Sequence, residues 1–573
     1  MREIQGVKYG WHLHAFPPQQ VLALAAQYAL APAIAQAILA RGHISPQAIE
    51  KYLFSSFAED VAHPSLLYDA DKAVERLLRA IEKKEKILIA GDYDVDGITA
   101  SALMILCLQP LGAYINFFLP NRVKDGYGLS AKTIERAVQS GYRLVVTVDN
   151  GITSFGPAQR ARELGIDLII TDHHRSHGTL PDAFAIVNPN QEGCSYPYKA
   201  LAGVGVIFKV MSLLYEKVGR QLPAKAYELL LLGTVADVVP LTGENRYWVR
   251  HGLTQINQHS SLSFNVLKTN GKLSKSRISS TDIGFSIAPQ INALGRLEDP
   301  RQGVQFLLDA NVGQVERIGK TLFELNQARK EIERGVLKDV IAQVESGAID
   351  LKSERIIMAA SDSWPPGVIG LVAGRLVGMY GRPAILLHTK NGIAKGSCRS
   401  IPAFNMFDAL QASSDLLTTF GGHPQAAGLS LPVSSLQQLK ERMEGRAAEF
   451  LTEKDLKQKL MVESEITLSE CTQKLVDDMR HLEPFGCQNP EPLFYVRGAV
   501  LVEKPTLLKE AHIKLKLFHD GATRSAIFFN RPELYAWFAE RDEPFDVVGQ
   551  VKENHWQDTV SIELTGLDVA PTS

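Results

Sequence analysis

Residues 87–112 read ILIAGDYDVDGITASALMILCLQPLG. An apolar run of strand length meets three aspartates at alternate positions, Asp92, Asp94 and Asp96, and a glycine, before apolar residues resume with helical spacing. A short, uninterrupted apolar run bounded by turn residues suits a strand buried on both faces. The stretch is therefore read as strand, acidic loop and helix.

The same alternation continues on both sides. DKAVERLLRAIEKKEK before it reads as an amphipathic helix, and YINFFLP, LVVTVDNG and DLIITDHH as strands, with SAKTIERAVQSG and PAQRARELG as helices between them. This order predicts a parallel sheet with helices on both faces. Residues 197–270 read as mostly helical and pack with that sheet. A charged helical pattern with few breakers, from about 302 to 346, reads as a connector. Beyond it RIIMAA, PAILLH and IAKGSCRS are strand-like and alternate with GVIGLVAGRLVGMYG and NMFDALQASSDLLTTFG, which are read as helical. From about residue 458 short alternating runs spaced by Gly, Pro and Asn predict a small β-barrel. The expected class is multidomain α/β. It divides into 1–300 (the parallel-sheet domain with its N-terminal segment and helical insertion), 301–346 (connector helix), 347–452 (second α/β domain) and 453–573 (barrel).

Composition narrows the function classes. At 573 residues the chain exceeds a single domain of about 100 to 200 residues. It has 45% apolar and 22% charged residues and a formal net charge of −2, so any polyanion site must be a local patch rather than a global basic field. Cys107, Cys194, Cys398, Cys471 and Cys487 are scattered, which argues against a zinc cluster or disulfide framework and for a reducing, cytoplasmic setting. The N-terminus lacks an export pattern, and Gln27, Pro32 and Gln36 break the Ala-rich stretch near 22–40, so no membrane span is expected.

In an open parallel sheet ligands collect at the carboxyl ends of the strands. There the polar residues gather: Asp92, Asp94 and Asp96 after ILIAG, Asp149 after LVVTV, and Asp172, His173 and His174 after DLIIT. Carboxylates so close repel one another unless a divalent cation holds them. Oxygen and imidazole donors without thiolates suit Mn²⁺ or Mg²⁺, and several carboxylates can bridge two ions. The Asp-x-Asp-x-Asp-Gly pattern is not a calcium loop, because position 12 from Asp92 is Leu103 rather than a glutamate. A lone Asp-Asn-Gly is turn chemistry, and His-His behind a strand can cap a helix. Their coincidence at the ends of adjacent strands is what marks a site.

GDYDVDG, VDNG, TDHH and VADVVPL, in this order, resemble the motifs of the DHH phosphoesterase superfamily, and GGHPQAAG with GSCRS resembles its DHHA1 partner domain. The flanking stretches LPNRVKDGYGLS, INALGRLEDP, LNQARKEIE and WPPGVIGLVAGRL are similar to the bacterial exonucleases of that superfamily, from about residue 50 to the end. The resemblance implies metal ligands at Asp92, Asp94, Asp149, His173 and Asp237. It places His174 beside the metals, as a further ligand or as an acid near the leaving oxygen, with Asp96 in a catalytic or supporting role. It assigns Arg122, Arg296, Ser397, Arg399, Gly422 and His423 to the nucleotide, and gives the tail an OB-type fold. Among the tail's aromatic residues, Phe518, Phe528, Phe529 and Trp556, with Lys514, Lys516 and Arg531 nearby, none is assigned to a site.

What the resemblance implies is hydrolysis of single-stranded DNA from the 5′ end to mononucleotides with two Mn²⁺ or Mg²⁺ ions, in recombination and repair, beside single-strand-binding protein and a helicase. Two rivals stand against it: a relative acting on short oligonucleotides or cyclic dinucleotides, and an inactive single-strand-binding scaffold. The long β-rich tail argues against the first and the retained acids against the second.

Overall fold

The computed structural model describes residues 2–121, 128–176, 178–309, 311–556 and 559–572. The chain divides into two compact units, one of Glu50–Ala328 with Glu483–Pro490, the other of Met1–Ile49, Arg329–Leu482 and Glu491–Ser573.

The first unit is built on the predicted parallel sheet. Its order is Tyr114–Phe118, Lys86–Ala90, Tyr142–Val148, Asp167–Thr171, Ala185–Val187, every pair parallel. In chain order that is 2-1-3-4-5, so the winding reverses between Lys86–Ala90 and Tyr142–Val148. Both faces are covered, which explains the continuous apolar runs. Ile87, Ile89, Leu144, Val146 and Ile169 pack under the helices Val95–Leu108 and Gly203–Lys217. The alternate residues Leu88, Val145, Leu168 and Ile170 pack on the other side with Ile134, Ala137, Ala158 and Ala161 of the helices Ala131–Gln139 and Phe155–Glu163. Helix Val95–Leu108 is apolar all round because it is buried all round, with helix Lys225–Ala236 packed against it as well.

In the second unit, strands Ile357–Ser361 and Ala384–Lys390 run parallel. Ile393–Arg399, Ala426–Pro432 and Thr419–His423 then extend the sheet antiparallel. Here the reading of 405–421 as one helix is corrected: the helix is Met406–Gln411, and Thr419–His423 is an edge strand paired to Ala426–Pro432. Pairing across the GGHPQAAG turn outweighs local helical spacing, because this edge strand gains a full ladder of backbone hydrogen bonds.

The tail closes as expected into a barrel. Phe494–Leu501, Phe545–Trp556, Thr559–Pro571, Ala522–Phe528 and His512–His519 pair in sequence, and the last meets the first through Val500↔Phe518. This is the five-stranded OB arrangement. The helix Val312–Glu345, 34 residues long, extends about 50 Å at 1.5 Å per residue.

The N-terminal segment was expected with the parallel sheet, yet it folds with the tail. Strands Arg2–Gln5 and Gly10–Leu13 form a hairpin, and Lys459–Val462 adds to it in parallel. Its anchor is Asp568, fully buried, whose carboxylate accepts from Lys8 N (3.1 Å), Tyr9 N (2.9 Å) and Trp11 Nε1 (3.0 Å) and lies 3.6 Å from Arg531 Nη2. A contact 557 residues apart in sequence leaves no local signal. Among the described residues no single helix is long and apolar enough to cross a membrane.

Because Asp568→Ala strands several buried donors together, it is expected to destabilise the protein by about 3 kcal/mol. Urea unfolding followed by Trp fluorescence should show the transition midpoint falling accordingly.

Candidate metal centre at the sheet's winding reversal

The strands on either side of the reversal deliver the acids. Lys86–Ala90 ends in the loop carrying Asp92 and Asp94, and Tyr142–Val148 ends at Asp149. The next strand, Asp167–Thr171, ends at Asp172, His173 and His174. Asp237 arrives separately, as the residue closing helix Lys225–Ala236. Ligating atoms of Asp92, Asp94 and Asp149 lie within 4.8 Å of one another, as do those of Asp149, His173 and His174, and of Asp96, His173 and Asp237.

The centre is held in place by backbone conformation and close packing. Asp149 sits at φ 62°, in the left-handed region that side chains rarely adopt. Gly203, opening helix Gly203–Lys217, lies so near that an added Cβ would sit 2.5 Å from the Asp149 Cβ. Asp94 caps helix Val95–Leu108, accepting from Gly97 N at 3.0 Å. Buried Asp96 accepts from Gly203 N (2.6 Å) and Val204 N (2.8 Å), so both oxygens cap the second helix.

At the heart of the cluster three acceptors face one another. His173 Nε2 lies 3.3 Å from Asp149 Oδ1 and 3.6 Å from Asp237 Oδ2, and all three atoms are buried without a hydrogen-bond partner. Burial, and the charge of His174, push the His173 imidazole down to about 4, so it is neutral near pH 7. Its Nε2, without a hydrogen-bond partner, faces the carboxylates. Burial drives both Asp149 and Asp237 well up, reinforced by the charges of Asp96 and Asp94. Burial and Asp94 raise Asp96 to about 7. Orphaned oxygen and nitrogen acceptors at this spacing are the donor set of a hard divalent cation.

Asp172 behaves differently. Burial pushes its carboxyl up, but the hydrogen bond and charge of His174 and the N–H groups of Ile152 and His174 outweigh it and hold it low. It accepts from His174 Nδ1 (2.7 Å), His173 N (2.7 Å) and Ile152 N (2.9 Å). Burial works against the charge on His174, yet that bond, with Asp172, Asp96 and Asp94 around it, raises the imidazole above its ordinary value. The two rings stand 4.4 Å apart with opposite protonation preferences.

Sequence reading missed the pair that holds these histidines. Asn190 Nδ2 donates to the His173 carbonyl (2.7 Å) and Asn188 Nδ2 to the His174 carbonyl (2.8 Å), with Asn190 N donating to Asn188 Oδ1 (2.7 Å). The signal was an Asn-Pro-Asn directly behind the apolar run AIV. Taken alone it reads as a turn.

The remaining predicted residues fall in three places. Arg296 lies in the last turn of helix Ala288–Leu297; beside it, a Cβ on Gly295 would come within 2.2 Å of the Tyr93 carbonyl oxygen. In the second unit Arg399 and His423 flank Ala426 in one row of the sheet, and Ser397 lies on the same face as Arg399, two residues away. Arg399 Nη1 donates to the Cys398 carbonyl (2.8 Å) and, at 3.4 Å, to Ser397 Oγ. Gly422, at φ 140°, has no room for a Cβ beside Ala426 and Ala427. Arg122 lies outside the described residues, as does the Trp556 side chain. Of the tail aromatics Phe528 is buried core, while Phe518 and Phe529 are exposed.

Three family models match: the DHH family N-terminal domain over residues 86–234, the DHHA1 domain over 353–449 and the RecJ OB domain over 462–568. The single-stranded-DNA-specific exonuclease RecJ of Bacillus subtilis is 34% identical over 569 residues, covering 98% of this chain and 71% of the relative. The enzyme of the same name from Escherichia coli is 36% identical over 474 residues, 78% of this chain and 81% of its own. The crystal structure of RecJ from Thermus thermophilus in complex with Mn²⁺ superposes with a TM-score of 0.84 at 27% identity, covering 98% of this chain and 80% of that one. Its counterpart in complex with Mg²⁺ gives 0.76 at 25% identity, covering 98% and 78%. With relatives above 30% identity matched over more than two thirds of their own length, this chain belongs to the RecJ family of single-stranded-DNA-specific exonucleases.

Proposed function

We propose that this protein hydrolyses single-stranded DNA from its 5′ end, releasing mononucleotides, with two Mn²⁺ or Mg²⁺ ions at the carboxylate centre. The observation that carries this reading is the set of orphaned acceptors, Asp149 Oδ1, His173 Nε2 and Asp237 Oδ2, which need a cation between them. The Thermus relative, described in complex with Mn²⁺ and with Mg²⁺, supports the choice of ion.

Asp92, Asp94, Asp149, His173 and Asp237 would hold the ions. Bound there, the metals would supply Lewis-acid polarisation of the scissile phosphate and charge neutralisation. The protein's own groups do the rest. Asp172 orients His174 and raises its proton affinity, and His174 would give a proton from Nε2 to the leaving 3′ oxygen as the P–O3′ bond breaks and water adds to phosphorus, the water releasing its own proton to solvent. The shortened strand then carries a 5′ phosphate for the next cycle. Asp96, engaged on both oxygens by a helix terminus, positions the centre instead of reacting. On the family resemblance Arg296 is a phosphate contact of the DHH part, and Arg399, Ser397, Gly422 and His423 are phosphate contacts of the DHHA1 part, the guanidinium forks suiting phosphate oxygens. Single-strand-binding protein and a helicase as partners, and a cytoplasmic setting, rest on the family resemblance and on the free, scattered cysteines.

Digestion of 5′- and 3′-labelled single and double strands, with and without Mn²⁺, tests the reading. Wild-type protein should release labelled mononucleotide from the 5′ label first, on single strands, only with metal. Asp149→Ala should lose several kcal/mol of catalysis, a fall of about 10³-fold or more in kcat/KM; retention of wild-type activity would exclude this centre. Asn190→Ala should weaken Mn²⁺ binding, read by calorimetry, by about tenfold with little change in the thermal midpoint.

A further inference from the structure

A π-helical turn packed against the helix that ends at Asp237 carries an exposed ring that the hydrolytic reading leaves unexplained. Phe285 is 80% exposed, the highest value among the exposed large apolar side chains described, while Ile283 and Ile287 on either side of it are fully buried. Its exposure is therefore a property of a clamped element and not of a fraying one. That element, Ile283–Ile287, is a single π-helical turn, a form found most often at functional sites. Buried Gln290 stabilises it, donating to the Ser286 carbonyl at 2.7 Å and to the Leu267 carbonyl at 2.9 Å.

The segment packs against the helix that ends at Asp237, and the helix that follows it packs against the loop carrying Asp92 and Asp94. Gly284 faces Val235, with 3.7 Å between an added Cβ and Val235 Cγ1, and Val235 is two residues before Asp237. Val238, following Asp237, is 67% exposed and held at φ 60°, a rare conformation for a β-branched residue. Farther along, Asn292 Oδ1 accepts from Val95 N at 3.2 Å, and Gly295 abuts the Tyr93 carbonyl. From Phe285 to Arg296 the helical rise is about 16 Å, the length of a few nucleotides.

We propose that Phe285 is a stacking platform for a nucleobase of the strand held at this centre, a role that rests on the exonuclease reading above. One ring and one valine are far too little for a protein interface, which takes about 800 Å² per partner. They suit the face of one base, whose sequence-tolerant stacking matches an enzyme that must accept any base. Phe285 thereby positions the strand while the carboxylate centre performs the chemistry.

Steady-state kinetics on a single-stranded oligonucleotide, and on the same strand with abasic residues near its 5′ end, test this contact. On the intact strand Phe285→Ala should raise KM about 5- to 100-fold and Phe285→Leu nearly as much, while Phe285→Tyr restores the wild-type value. On the abasic strand Phe285→Ala and wild type should converge. Thermal midpoints and Mn²⁺ affinity should not move, since the side chain is in solvent. An unchanged KM for Phe285→Ala on the intact strand, full retention by Phe285→Leu, or an equal loss on both strands overturns the stacking role. A wild type that releases nucleotide from neither strand overturns the exonuclease reading, and this contact falls with it.

Discussion

Buried acceptors that face one another with no hydrogen-bond partner are the constraint on which the carboxylate centre is organised. Asp149 and Asp237 meet His173 at 3.3 and 3.6 Å in a buried place, an arrangement that is costly to keep charged unless a proton or a cation is bound there. Holding such a cluster open takes structure from every direction. The left-handed Asp149, the Gly203 packed against its Cβ, and the two helix termini fixed by Asp94 and Asp96 each prevent the cluster from relaxing into mutual hydrogen bonds. Preorganisation of this kind lets a site bind an ion without rearranging to do so.

Adjacent histidines acquire opposite characters from their surroundings. His173, buried and bonded to backbone, stays neutral and offers a lone pair. His174, bonded to a carboxylate held low, is raised above its ordinary value. Neighbouring imidazoles thus differ in proton affinity because one carboxylate, Asp172, bonds the ring of His174 and not that of His173. The amides of Asn188 and Asn190 then fix the backbone that carries both rings, so their geometry does not depend on the metal alone.

The second unit contributes in a different physical style. Arg399, Ala426 and His423 lie in one row across a sheet, with Gly428 and Gly421 paired in the next row but one, beside Ser397. Cationic and polar side chains over a floor of small residues suit phosphate oxygens, which need donors and close approach more than apolar area. Its barrel is joined to the N-terminal hairpin through Asp568, a buried carboxylate satisfied by three N–H groups.

Periodicity made the sheets, the long helix, the barrel and the chemical types at the strand ends legible, because burial on one or two faces leaves a repeating trace in local sequence. Motif order added Asp237, which by itself reads as the end of a helix. Hidden from the sequence were the Thr419–His423 edge strand, the Asn188–Asn190 clamp, the Asp568 clasp and the exposure of Phe285 between two buried isoleucines. Sequence by itself determined most of the elements and the chemical types gathered at the strand ends, since both are properties of residues within a turn or two of one another. Only the tertiary structure decided which acid caps a helix, which acceptors lie buried without a partner and which imidazole is raised or lowered, because those features depend on burial and on partners that the chain brings together from far apart.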